Sequence, residues 1–308
     1  MAMTNFDQIV DLFKALSNDA RLRIVCLLRE GELSVNEITQ IMQQSQPRVS
    51  QHLKALCEAG ILERFREQHH MYYRVPLHGV GNELIEALKP FLPTSDPQIL
   101  EDEKSLSKIK SFRQKLSVDY LEEEAPEWTH LHELHGDEEA FANAVIKVIE
   151  DEPVGELLDV ATGTGRMLKI LGPLCSRGVG IDLSQKMANV ARSAIQQAEL
   201  SHCTIRQDDM YQMRFANESF DTVSIDQVLY FAERPEDVIA EAARVLVPGG
   251  RMLIVAFSST VKTQLKQLGY TPTSIKAWCS GAGLTSQRQH KLKGQKADII
   301  LLVAYKDE

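Results

Sequence analysis

The residues best suited to chemistry lie in the second half of the chain. The apolar run Glu156-Leu157-Leu158-Asp159-Val160 leads into Ala161-Thr162-Gly163-Thr164-Gly165. Small residues at 161, 163 and 165 let a backbone turn come close to a ligand. A second run, Val179-Gly180-Ile181, ends in Asp182, whose carboxylate suits the two hydroxyls of a ribose. A third acidic cluster, Asp208-Asp209-Met210, closes another apolar run. Acidic groups at successive strand ends around a glycine turn predict a nucleotide-like ligand at the carboxyl edge of a sheet.

A second set of reactive side chains lies near the front. Between Ser45 and Ala59 the apolar Val49, Leu53 and Leu56 fall on one helical face, leaving Gln46, Arg48, Ser50, Gln51, His52 and Lys54 outside. Gln and Arg pair bidentately with base edges while Ser and Lys hold phosphates, which is what a helix in a DNA major groove needs. A merely solvated face has the same composition, so the flanking elements must decide.

Those elements are legible from their caps. Ser17-Asn18-Asp19 opens a helix through Leu22, Val25 and Leu28 that stops at Gly31, and Ser34 opens another through Val35, Ile38 and Ile41. Ser45 opens the polar-faced helix, which ends at Gly60. Residues Ile61 to Arg66 and Met71 to Val75 are strand-like around the polar Glu67-Gln68-His69-His70, predicting a hairpin, and a helix is expected over residues 77–92. Pro90, Pro93 and Pro97 mark a boundary, followed by a charged helical stretch over residues 100–125. From residue 154 strands alternate with helices, as in a doubly wound parallel sheet. Its later members are expected at Ser219 to Val223, Leu253 to Phe257, Ser286 to Gln289 and Ile299 to Ala304. The expected organisation is therefore α/β overall: a winged helix-turn-helix domain over 1–93, a linker and helical lid over 94–150, and a ligand-binding domain over 151–308.

Composition narrows the function. At 308 residues two domains are the natural expectation, and 44% hydrophobic with 25% charged residues is ordinary for a soluble protein. The first residues lack a signal-peptide pattern and no apolar run reaches membrane-spanning length, so a cytoplasmic protein with no membrane partner is expected. The net charge is -9, but residues 1–92 hold ten Lys and Arg against eleven Asp and Glu, so any contact with DNA must come from a local basic patch. Cys26, Cys57, Cys175, Cys203 and Cys279 are odd in number and widely spread, which argues against a disulfide framework or thiolate zinc site and for isolated buried thiols. His130, His132 and His135 are dense, but their spacing does not put all three on one helix face. A helical cap over the following domain is expected there, and no metal site.

The front segment resembles the ArsR/SmtB winged-helix repressors over roughly residues 6 to 92. The likeness is carried by FKALSNDARLRIVCLLREGELSVNEI, QPRVSQHLKALCEAGIL and the hairpin RFREQHHMYYRV. It implies a homodimer on a near-palindromic double-stranded operator, with residues 45–59 as recognition helix and Arg64, Arg66, Gln68, His69 and Arg74 of the wing beside the DNA backbone. Metal-sensing members often carry Cys-x-Cys where Ser34-Val35-Asn36 stand, and His78 lacks the companions of the other family site. Neither Ser nor Asn replaces a thiolate, so metal sensing at the usual positions is not expected.

Asp182 by itself serves NAD and S-adenosylmethionine alike, although the dinucleotide fingerprint would want a glycine at Leu168. The order of the acidic strand ends, with Glu241-Ala242-Ala243-Arg244-Val245-Leu246-Val247-Pro248-Gly249-Gly250 behind them, resembles class I S-adenosylmethionine-dependent methyltransferases of the UbiE-like branch, from residue 154 to about 305. That likeness implies a Rossmann-like fold binding S-adenosylmethionine or S-adenosylhomocysteine. Asp159 with Ala161, Gly163, Thr164 and Gly165 would face the methionine moiety, and Asp182 with Leu183 the ribose end. Asp209, Met210 and Met187 would face the adenine, and Asp226 and Gln227 would close the pocket. Ala161 departs from the family's first glycine; its methyl still permits a tight turn and is expected to crowd the ligand. The expected function is a transcription regulator using this ligand as effector. The alternative is an active methyltransferase on a small molecule, with an autoregulatory DNA-binding domain. Methyl transfer rests largely on positioning, so no visible base is required, and arsenic as acceptor would need clustered thiolates that Cys175, Cys203 and Cys279 do not show in sequence.

Overall fold

The computed structural model describes residues 6–67, 70–76, 79–123, 137–257, 271–293 and 298–308. Two compact units divide after Arg113.

The first unit opens with α1 (Phe6–Leu16) and α2 (Asp19–Leu28), the latter capped by Asn18, whose side chain accepts the Arg21 N–H at 3.2 Å. A two-residue strand β1 (Leu33–Ser34) runs into α3 (Val35–Met42). Ser34 and Glu37 form a reciprocal capping box at its start, satisfying backbone donors that a helix end leaves open. Gln43 turns the chain with a left-handed φ of 52°, and α4 (Gln46–Glu58) follows. Strands β2 (Glu63–Glu67) and β3 (His70–Arg74) pair antiparallel, and β1 adds to the outer side of β3, a pairing too short to read from periodicity. The expected helix over 77–92 is α5 (Val80–Leu88) with a 3-10 turn over Lys89–Phe91. Ile24, Val25, Ile38, Ile41, Val49, Leu53 and Leu56 close the core.

The next helix, α6 (Pro97–Glu123), carries Leu106 and Ile109 into that same core. Arg23 holds Asp102 through two hydrogen bonds of 2.7 Å, and Arg113 holds Glu37 at 2.7 and 2.6 Å. Burial pushes the Glu37 carboxyl up, but the Arg113 charge and the Ser34 donors outweigh it and leave the group below its ordinary range. The prolines around residue 93 break the helices there, yet packing assigns the start of α6 to the first unit.

In the second unit α7 (Glu138–Ile149) precedes a seven-stranded sheet built from β4 (Glu156–Val160), β5 (Arg177–Asp182), β6 (Cys203–Gln207), β7 (Phe220–Asp226), β8 (Leu246–Phe257), β9 (Ser286–Leu292) and β10 (Ile299–Tyr305). Its order is β6-β5-β4-β7-β8-β10-β9, parallel from β6 to β8 and antiparallel on both sides of β10. Helices α8 (Arg166–Leu171), α9 (Gln185–Gln197), α10 (Pro235–Val245) and α11 (Pro272–Gly281) join the strands. This is the Rossmann-like methyltransferase arrangement. Strand order reverses beside β4, so the turn after Val160 opens at the switch point where doubly wound sheets bind ligands. The buried Arg251 on β8 donates to the Ile149, Glu152 and Pro153 carbonyls and to Thr222 Oγ1, which fixes the entry into β4.

Candidate functional site

The front unit presents α4. Its buried Val49, Leu53 and Leu56 lock the helix to the core, and Gln46, Arg48, Gln51 and Lys54 are exposed. Ser50 and His52 are half-buried. The His52 ring is partly desolvated and lies near the Arg21 and Arg48 charges, all of which hold it below its ordinary value, and its Nε2 has no partner among the described residues. On the hairpin Arg64 and Arg66 are exposed. Arg74, expected at the DNA backbone, turns inward instead: it is 3% exposed, pairs with Glu63 across the strands, and lies 5.3 Å from the centre of the Phe65 ring. A buried, paired guanidinium steadies the hairpin. Gln68, His69 and His78 lie outside the described residues, as do His130, His132 and His135 and most of the stretch after β8.

In the second unit the turn after β4 is tied to its neighbours by its own backbone. The Thr162 N–H donates to the Ile181 carbonyl at 2.8 Å, and Gly163 N–H to Asp182 Oδ2 at 3.0 Å. Asp182 Oδ1 accepts from Ser184 N–H at 2.8 Å. Burial raises this carboxyl, with the two N–H donors opposing. Leu183 beside it is 67% exposed. Gly163 and Gly165 take positive φ, and so does Ala161 at 52°. The alanine therefore makes the same turn as the expected glycine, at a strain of about 1–2 kcal/mol. Thr164 is partly exposed.

Asp159 is sealed at the end of β4, 1% exposed. Thr162 Oγ1 donates to one oxygen at 2.6 Å and Ser224 Oγ to the other at 2.7 Å. Burial pushes its carboxyl up to about 7, against the pull of the two hydroxyls, and the Asp226 and Asp182 charges add to the rise. Asp226 and Gln227, at the end of β7, lie on the other side of the turn. Gln227 has a positive φ of 59°. Asp226 is raised by burial and restrained by Arg166, 3.4 Å away, while its Oδ1 is buried without a partner among the described residues.

Arg166 itself is a site residue to which sequence alone gives no role. It is 3% exposed, gripped by Glu138 at 2.7 and 3.0 Å, and lies 3.6 Å from the centre of the Phe141 ring. An arginine opening the helix directly after the glycine turn is the only signal that could have pointed to it.

The third acidic position splits in two. Asp208 is buried and holds Arg214 and the Asp209 N–H, so its work is structural, whereas Asp209 is partly exposed and accepts the Tyr211 N–H at 2.9 Å. Met210 is partly buried against the core, and Met187 is 3% exposed. The cysteines also depart from expectation. Cys175 and Cys203 are not isolated: with His202 they place ligand-type atoms within 4.8 Å of one another. They sit at the starts of β5 and β6, away from the turn after β4.

Residues 18–64 match the family model described as bacterial regulatory protein, arsR family, and residues 158–254 match the methyltransferase domain. The chain is 37% identical over 92 residues to the biofilm growth-associated repressor of Xylella fastidiosa, a match covering 30% of this chain and 80% of the repressor. It therefore belongs to the arsR family of bacterial regulatory proteins. The family portion is also 48% identical over 65 residues to arsenic resistance transcriptional regulator ArsR1 of Pseudomonas putida, covering 21% of this chain and 51% of that regulator. This arsR-family chain is also 30% identical over 134 residues to the ubiquinone/menaquinone biosynthesis C-methyltransferase UbiE of a Ruegeria species, covering 42% of this chain and 52% of the enzyme. The matches thus span about half the length of two of these three relatives. No helix among the described residues is long and apolar enough to cross a membrane.

Proposed function

We propose that the chain is an operator-binding regulator, acting in the cytoplasm, whose second unit takes up S-adenosylmethionine or S-adenosylhomocysteine as effector. The observation that carries this reading is the cradle around the turn after β4, standing on one chain with a helix that presents Gln46, Arg48, Gln51 and Lys54 to solvent. The cradle suits the ligand on its own chemistry. Asp159 is a buried carboxyl whose described partners are hydroxyls, and Asp226 keeps a buried oxygen without a partner among the described residues; both favour a cationic group, which the methionine moiety supplies. Asp182 would take the ribose hydroxyls, the exposed Leu183 and Met210 the adenine faces, and Asp209 the adenine edge. When bound, the ligand would supply a sulfonium methyl or, in spent form, a thioether.

In the front unit Arg48, Gln46 and Gln51 would read base edges, with Ser50, Lys54, Arg64 and Arg66 on the backbone. A homodimer is supported by the apolar Phe6, Ile9 and Phe13 of α1 and by Phe91, Leu100 and Phe112, all exposed in the single chain. Two-fold symmetry then calls for a near-palindromic operator.

Operator affinity measured with and without each ligand tests the effector role. A shift of roughly 5- to 150-fold is expected, lost in Asp182→Ala with basal DNA binding intact. An affinity that neither ligand moves would overturn it. The methyltransferase-domain match over residues 158–254 favours a second reading, an active methyltransferase with an autoregulatory front unit. Methyl transfer from labelled donor to small molecules of a cell extract, abolished by Asp182→Ala, would establish that reading.

A further inference from the structure

Cys175, His202 and Cys203 lie outside the cradle. Cys175 follows the 3-10 turn Gly172–Leu174, and its Sγ approaches the Gly172 carbonyl oxygen at 3.3 Å. His202 Nε2 lies 2.8 Å from the same oxygen. Cys203 is the first residue of β6, 7% exposed, and its strand partner is Gly178. A Cβ on Gly178 would come within 2.6 Å of the Cys203 sulfur, and one on Gly172 within 3.3 Å. Two glycines thus keep open the space that the sulfur occupies. The cluster is at the amino-terminal edge of the parallel strands, whereas the ligand turn leaves the carboxyl end of β4.

We propose that Cys175, His202 and Cys203 form a binding site for one thiophilic divalent cation of the zinc class. Two sulfurs and an imidazole nitrogen select borderline to soft cations over magnesium or calcium, which take oxygen ligands. The three ligand atoms are already within 4.8 Å of one another. Around a tetrahedral zinc they would stand roughly 3.5–3.8 Å apart, so closure needs shifts of about an ångström. Three protein ligands leave one position for water or an exogenous group. On binding, Cys175 and Cys203 coordinate as thiolates, His202 as a neutral imidazole, and the protons they give up pass to solvent. The site is separate from the Ser34-Val35-Asn36 segment, where the front unit has no thiolates.

Cobalt(II) titration of the full chain, stripped of metal and kept reduced, tests the site. One equivalent should bring a near-ultraviolet thiolate-to-cobalt absorption and visible bands of tetrahedral intensity, both bleached by one equivalent of zinc. Cys175→Ser and His202→Gln, both at partly exposed positions, should each weaken cobalt at least about tenfold with unchanged circular dichroism, and Cys57→Ser should leave it unaltered. Absence of the charge-transfer band in the wild-type protein would overturn the proposal. So would a cobalt affinity and band intensity left unchanged in Cys175→Ser, or a Cys175 to Cys203 disulfide that forms on mild peroxide treatment at the same rate with and without added zinc.

Discussion

A carboxyl enclosed as Asp159 is, between the Thr162 and Ser224 hydroxyls, is held well above the ordinary carboxylate range by burial. Its folded value near 7 stands above the ordinary 3.8, so the native chain binds the extra proton and the second unit loses stability as pH rises from about 4 to 7. A cationic ligand reverses that penalty. Affinity for S-adenosylmethionine should therefore fall about tenfold per pH unit below 7, and Asp159→Asn should weaken binding and flatten the profile, as titration at several pH values would show. Ala161 holds a conformation that favours glycine. Ala161→Gly should add up to about 1 kcal/mol, roughly 2–4 °C in the Tm of the second unit, with no loss of ligand affinity. A lowered Tm would mean that the methyl packs usefully and outweighs the backbone strain.

At the scale of elements, α4 is fastened by Val49, Leu53 and Leu56 and leaves its polar face to solvent, so substitutions there should change DNA binding without unfolding the unit. Arg48→Ala should relax base preference at one operator position, at a cost of about 1–3 kcal/mol. Lys54→Ala should lower affinity evenly across sequences and reduce the salt slope by about one. Binding isotherms at several salt concentrations separate the two. Arg74→Ala, by contrast, should disturb the hairpin's stability more than its contacts with DNA. The caps and periodicities that announced α2, α3, α4 and the parallel strands were legible because they are local. Other features were not. Arg74 alternates on β3 like an outward residue, and the carboxylate of Glu63 and the ring of Phe65 on the paired strand draw it in. The two-residue β1 carries no period at all. Cys175 and Cys203 are far apart in sequence, and they meet because parallel neighbours bring the starts of successive strands side by side, with Gly178 opposite Cys203. The positions of Asp159, Asp182 and Asp209 at strand ends were legible from the glycine turn and the apolar runs; Arg166 was not, since its partners Glu138 and Asp226 come from distant segments.

At the scale of the whole molecule, two apolar cores form, one closed by Leu53 and Leu56 and the other by Leu157, Val179 and Val223. Each unit should then melt as its own cooperative transition. S-adenosylmethionine at a hundred times its Kd should stabilise the second by about 2.7 kcal/mol and shift the first much less, which differential scanning calorimetry resolves. Equal shifts of both would mean that the two units unfold as one.

The Asp159 carboxyl also has a consequence for heat. If near-neutral protein holds a proton that a positively charged guest displaces, uptake of that guest is an exchange of one cation for another. The enthalpy read in an isothermal calorimeter must then contain the ionisation heat of whichever buffer receives the proton. Titrations near pH 6.5 in phosphate, imidazole and Tris should give different apparent enthalpies for the same equilibrium constant, and the slope against buffer ionisation heat counts the protons released.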